Sequence, residues 1–130
     1  MNLNEYQQAA LRTERRRASC EGFNVECTGE EERILEGVLG LSGESGEVVD
    51  VLKKYLFQGH KFDRGHIAEE LGDIAWYLAL TADAIGYTLD DICRMNIEKL
   101  WNRYPDGFES ERSVNREVGK ARPEWVVRYD

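Results

Sequence analysis

Hydrophobic positions recur at helical spacing through the middle of the chain. Ile34, Leu41, Val48, Leu52 and Leu56 are spaced seven, seven, four and four. That period predicts a helix from about Glu30 to Phe57 with this stripe as its core face, and Gly59 as its stop. Ile67, Leu71, Ile74, Leu78 and Ile85 form a second stripe with one gap at Thr81 or Ala82. They predict a helix over about 64–85, with Asp63 as N-cap and Gly86 closing it. Thr88-Leu89-Asp90-Asp91 resembles a capping box with Asp in place of the usual Glu. It opens a further helix through Ile92, Met95, Ile97 and Leu100, halted by Tyr104-Pro105-Asp106-Gly107. Ahead of these, about Asn4 to Arg17 reads as a first helix ending in a basic run, followed by a loop holding Cys20, Gly22 and Cys27. Residues 108–130 carry no clear period and read as a tail. Both prolines lie beyond residue 100, so the chain before them is free to be helical. No stretch alternates like a strand. The expected fold is all-α, an antiparallel bundle of about four to five helices.

The length, 130 residues, fits one domain over 1–130 and allows about two-thirds of the unfolded surface to be buried. Seventeen basic against twenty-five acidic residues give a net charge of −8, which argues against a nucleic-acid polymer as partner. No apolar run approaches the roughly 20 residues that span a bilayer, and the first residues lack a signal peptide's basic start and apolar stretch. Cys20, Cys27 and Cys93 are odd in number and form no C-x-x-C pair. The expectation is a reduced, cytoplasmic protein with free thiols and no membrane partner.

Charge placement brings in chemistry. Glu44 and Glu47 stand three apart on the second helix, and Glu70 and Asp73 do the same on the third. Spacing of i, i+3 puts each pair on one helix face. At 100° per residue, the members of each pair lie about 70° and about 130° from their helix's apolar centre. Counting 1.5 Å per residue on both sides of the connecting loop sets the two pairs nearly level in an antiparallel hairpin. Four close carboxylates repel one another, and the physical remedy is a hard cation with oxygen ligands, Mg²⁺ or Mn²⁺. The plainer reading of such spacing is two solvated helix faces. Lys54 lies seven beyond Glu47 along the carboxylate face, where it reads either as a phosphate-holding cation or as a surface lysine. His66, four before Glu70, reads first as an exposed polar residue near a helix start. Gly37, Gly40, Gly43 and Gly46 recur every three residues, each costing up to about 1 kcal/mol against Ala in a helix. Close approach of another backbone or of a ligand is the usual reason for such a run.

Other site chemistries fail on residue type. Gly46 is followed by Glu47, so no phosphate-cradling G-x-x-x-x-G-K-[ST] loop is present. No Glu-x-x-His pair exists for a di-iron bundle, and His60 and His66 have no cysteines at zinc-finger spacing. Asp106-Gly107 opens no calcium loop.

Gly40-Leu41-Ser42-Gly43-Glu44-Ser45-Gly46-Glu47 and Glu69-Glu70-Leu71-Gly72-Asp73-Ile74-Ala75-Trp76-Tyr77 resemble the MazG-like nucleoside triphosphate pyrophosphohydrolases, the all-α NTP pyrophosphatase group. The family pattern is E-x-x-E, a gap of variable length, then E-x-x-D; here 22 residues separate Glu47 from Glu70. Asn96 to Phe108, with Lys99-Leu100-Trp101-Asn102-Arg103-Tyr104-Pro105-Asp106-Gly107-Phe108, is similar to the family's closing segment. The resemblance covers about residues 31–116. It implies a homodimer or homotetramer that binds Mg²⁺ and converts an NTP or dNTP to the monophosphate and pyrophosphate. Carried over residue by residue, it implies Glu44, Glu47, Glu70 and Asp73 as metal ligands and catalytic residues. It makes Lys54, Asn96, Lys99 and Arg103 candidates for the phosphates, and Trp76 and Tyr77 candidates for base or sugar contact. The expected chemistry is attack of water on the α-phosphorus, with Glu44 or Glu47 accepting its proton. Two other classes fit the same residues: a helical module that binds a partner protein, and a regulator that holds a nucleotide without cleaving it.

Overall fold

A computed structural model describes residues 1–14 and 29–115. Among these the protein is entirely helical, with α1 (Leu3–Leu11), α2 (Gly29–Phe57), α3 (Arg64–Ala84), α4 (Leu89–Arg103) and α5 (Ser110–Val114), and no strands. Two compact units divide the chain, Met1–Arg94 and Met95–Asp130. The first holds α1, α2, α3 and the start of α4. In the second, α5 forms in the stretch expected to be a tail, and Tyr104 and Phe108 rings lie 5.3 Å apart beside the turn at Gly107. α1 stops at Leu11, with Arg12 as its C-cap, and so is shorter than the helix expected to about Arg17; the basic run at 15–17, the loop with Cys20 and Cys27, and the tail beyond 115 lie outside the described residues. Cys93 is a free, exposed thiol.

The ends of the helices follow from local chemistry. Asp63 caps α3, its carboxylate accepting the His66 backbone N–H at 3.0 Å. Gly86, at φ 77°, closes α3, with Tyr87 N–H returning to the Ala82 carbonyl and Gly86 N–H to that of Asp83. The Thr88–Asp91 box forms as expected: Thr88 Oγ1 accepts the Asp91 N–H at 3.1 Å, and the Asp91 carboxylate accepts the Thr88 N–H at 3.2 Å.

The core sits elsewhere than on the leucine stripes. Val51, Ala79, Leu80, Ala82, Ala84 and Leu89 are buried together with Gly37 and Gln7. Leu52 and Leu56 of α2, Leu71 and Leu78 of α3 and Ile85 at its C-cap are exposed within the chain. Ile34, Leu41, Val48, Ile67 and Ile74 are only half-buried. The reason is the size of the residues at the helix contact. Gly37 lies under the Thr81 side chain and Gly40 under the Tyr77 ring, so a Cβ at either position would clash. Glycines of α2 set against Thr81 and Tyr77 bring α2 and α3 close together, while much of both leucine stripes stays outside the contact. No such reason holds for Gly43 and Gly46, which meet nothing within 4 Å.

These contacts also fix direction and register. Residue 37 faces 81, 40 faces 77, and 44 lies beside 73 and 70. Ascending α2 is descending α3, so the pair is an antiparallel hairpin. α1 packs on α3 within the same unit.

Candidate metal and nucleotide site

Register brings the acidic pairs together. Carboxylate oxygens of Glu44, Glu70 and Asp73 all lie within 4.8 Å of one another. Glu44 and Glu70 are half-buried and Asp73 is exposed. Glu47 follows one helical turn later; it is exposed and stands outside the trio, while its charge still reaches Glu44. Desolvation pushes the Glu44 carboxyl above its ordinary value, and a hydrogen bond with Glu70 and the repulsion of Asp73, Glu70 and Glu47 push it further. Three oxygen donors with surplus negative charge are what a hard divalent cation satisfies, so the donor set fits the ion expected there. His66 Nε2 lies 2.8 Å from Glu70 Oε1, a contact that the reading of His66 as merely exposed does not include.

Beside the trio a cleft of about 440 Å³ is lined by Thr13, Glu44, Asp73, Trp76 and Tyr77. Its volume falls in the range of small-molecule sites. Trp76 and Tyr77 rings meet edge to face, with centroids 5.0 Å apart. Trp76 Nε1–H donates to Thr13 Oγ1 at 2.8 Å and to the Ala10 carbonyl at 3.1 Å. Its one polar hydrogen therefore ties α1 to α3, leaving the ring to serve as a wall. The Tyr77 hydroxyl is pushed above its ordinary value by burial and then by Glu44, Glu36 and Asp73, and it stays protonated. Thr13 has no periodic or motif signal in sequence; α1 delivers it by docking on α3. Next to Thr13, Glu14 accepts from Arg33 at 2.6 and 3.0 Å, and Arg33 reaches Asp83 at 2.6 Å. The end of α1 is thus pinned on both sides of the residue that lines the cleft.

Lys54 is engaged already. Its Nζ lies 2.5 Å from Asp50 Oδ2, and Lys53 pairs with the other Asp50 oxygen. Asp50, three after Glu47 and four before Lys54, went unnoticed in the sequence although its spacing marks it. Asn96 and Lys99 are exposed and Arg103 is half-buried, all three on the part of α4 that belongs to the second unit.

The profile of the MazG nucleotide pyrophosphohydrolase domain matches residues 34–108, which hold every acidic residue of the trio and both walls of the cleft. The chain belongs to the MazG family. The "Gene 37 protein" of Mycobacterium phage L5 is 32% identical over 82 residues, covering 60% of this chain and 72% of the phage protein. No solved structure matches the chain. Family membership makes this MazG chain a hydrolase of the nucleotide pyrophosphohydrolase class. Among its described residues no helix is long and apolar enough to cross a membrane.

Proposed function

We propose that the protein hydrolyses a nucleoside or deoxynucleoside triphosphate to the monophosphate and pyrophosphate, with Mg²⁺ or Mn²⁺ held by Glu44, Glu70 and Asp73. The observation that supports this most directly is the meeting of three carboxylates from two helices at the edge of an aromatic-walled cleft. A bound divalent cation would supply neutralisation of the triphosphate and a water of lowered pKa. The chain's own residues do the rest. Glu44, Glu70 and Asp73 orient the polyphosphate end by holding its counter-ion. Glu47, beside the trio, either completes the ligand set or accepts the proton of the attacking water. Trp76 and Tyr77 offer ring surface to the base or sugar, Trp76 by contact alone because its N–H is spent. Lys54 exchanges Asp50 for a phosphate oxygen, while Asn96, Lys99 and Arg103 are candidates for the phosphates on the sequence resemblance alone. Charge gathering on the leaving pyrophosphate is stabilised by such cations.

Pyrophosphate release from a panel of NTPs and dNTPs with Mg²⁺ tests the reading. Turnover of at least one nucleotide, abolished by EDTA and by Glu70→Gln, is expected. A nucleotide that binds without being cleaved would make the protein a regulator. Neither binding nor cleavage would leave a partner-binding module.

A further inference from the structure

The two rings that wall the cleft are held by different elements. Tyr77 lies over Gly40 of α2. Trp76 is held from α1 and the turn after it, which lie outside the stretch that matches the family profile, residues 34–108. Around the indole, the hydrogens can be assigned without ambiguity. An indole nitrogen only donates, and a carbonyl oxygen only accepts. The Thr13 hydroxyl between them must therefore accept from Trp76 at 2.8 Å and donate to the Ala10 carbonyl, also at 2.8 Å. That carbonyl, one of the last four of α1, shares the indole hydrogen at 3.1 Å.

A tryptophan ring turns about its last side-chain bond in broad, roughly two-fold wells. In one orientation the N–H meets α1. A half-turn would point it away from both acceptors and would change the edge-to-face meeting with Tyr77, now at 86°. Two acceptors on one side select the first orientation. Their own place is fixed in turn: Glu14, next to Thr13 and only 9% exposed in its side chain, is gripped by the Arg33 guanidinium at 2.6 and 3.0 Å. We infer that Thr13 is a positioning residue for nucleotide binding: its hydroxyl holds the Trp76 indole in one orientation and so sets the wall against which the base or sugar packs. Resting on the nucleotide reading of the cleft given above, this makes α1 a working part of the site and not only a cover for α3.

Three tryptophans give three indole N–H signals in the nitrogen-15 spectrum, and the one absent from Trp76→Phe belongs to Trp76. Thr13→Val keeps the shape and removes the acceptor. It is expected to move the Trp76 signal upfield and to speed its exchange with solvent, while Thr13→Ser holds both near the wild type. With the panel of NTPs and dNTPs and Mg²⁺, Thr13→Val is expected to raise KM (or Kd, for a nucleotide bound uncleaved) about 2–10-fold, the worth of one neutral hydrogen bond. The kcat should change little, because the interaction is made equally before and during the reaction. Thr13→Ser should recover most of the loss. In a Trp76→Phe background Thr13→Val should add nothing, since the two side chains act together. An unmoved indole signal overturns the inference, as does an unchanged KM or Kd in Thr13→Val. So does an effect that persists without the indole, which would make Thr13 a direct contact. A signal that moves while no nucleotide of the panel binds removes the nucleotide reading itself, and the role of Thr13 with it.

Discussion

At the scale of single residues, the glycines of α2 divide into two kinds with opposite consequences. Gly40→Ala drives a methyl group into the Tyr77 ring. Overpacking of this sort costs about 1–3 kcal/mol, and here it also pushes a wall of the cleft aside. Gly43→Ala meets open space and removes a helix-weakening residue, so it should stabilise by up to about 1 kcal/mol. Urea unfolding of the two variants should therefore move the midpoint in opposite directions; equal shifts would mean that the α2–α3 contact is misassigned. Asp50 carries a pH signature. Hydrogen bonds from Lys53 and then Lys54 lower its carboxyl to about 2, against an ordinary 3.8. A depressed carboxyl contributes stability above its ordinary value and loses it as pH falls through the depressed one. Asp50→Asn should thus be less stable than the wild type at neutral pH, with the gap closing between about pH 4 and pH 2. Because the pair is solvent-exposed, added salt should narrow that gap too. Thermal melts across this range, at low and high salt, measure both effects.

Among the elements, α1 does more than cover a face. The first N–H groups of a helix have no partner within it. At the start of α4 they are met from α1: Gln7 Oε1 accepts the Leu89 N–H at 2.8 Å, and Asn4 Oδ1 accepts that of Asp90 at 3.4 Å. Gln7 also donates to the carbonyls of Ala79 and Tyr87, both at 3.2 Å. Gln7→Leu keeps the bulk and strands a buried N–H, at a cost of about 1–3 kcal/mol, readable as a lower urea midpoint. None of this is written in α1's own pattern, which shows only that a helix forms. The contrast with α2, α3 and α4 is instructive. Their extents were legible because caps such as Asp63 and Thr88 and stops such as Gly59 and Gly86 act within a few residues. The acidic trio was legible because both pairs are tied to one hairpin. The core was not, since heptad leucines mark a greasy face without saying what covers it, whereas Gly37 and Gly40 announce closeness only once their neighbour is known. Thr13 and Gln7 act across more than sixty residues, where spacing says nothing.

For the whole molecule, the large apolar side chains that the core leaves exposed, on the stripes and beside them, become a quantity to explain. Leu39 is 62% exposed, Leu56 64% and Leu71 54%, far more apolar surface on two adjacent helices than scattered single exposures explain. A second copy of the chain is the commonest cover, through a symmetric interface. Sedimentation should find a dimer or tetramer at micromolar concentration, and Leu39→Glu or Leu71→Glu should shift it toward monomer. A wild-type monomer would refute the assembly. Mg²⁺ should raise the melting temperature, because an ion that binds only the folded state stabilises it, and EDTA should reverse the rise.

The way α2 and α3 are keyed to one another has an evolutionary corollary. Side-chain contacts at 37–81 and 40–77 set the alignment of the hairpin's stem, not the six residues of its tip at 58–63. Lengthening the tip costs little, since closure entropy grows only with the logarithm of length. Inserting one residue into either stem, by contrast, would swing Glu44 or Glu70 about 100° round its axis and scatter the ligands. Lineages are therefore free to drift at the tip while indels in the stem are purged, which is how a fixed site comes to be written with a gap of variable length.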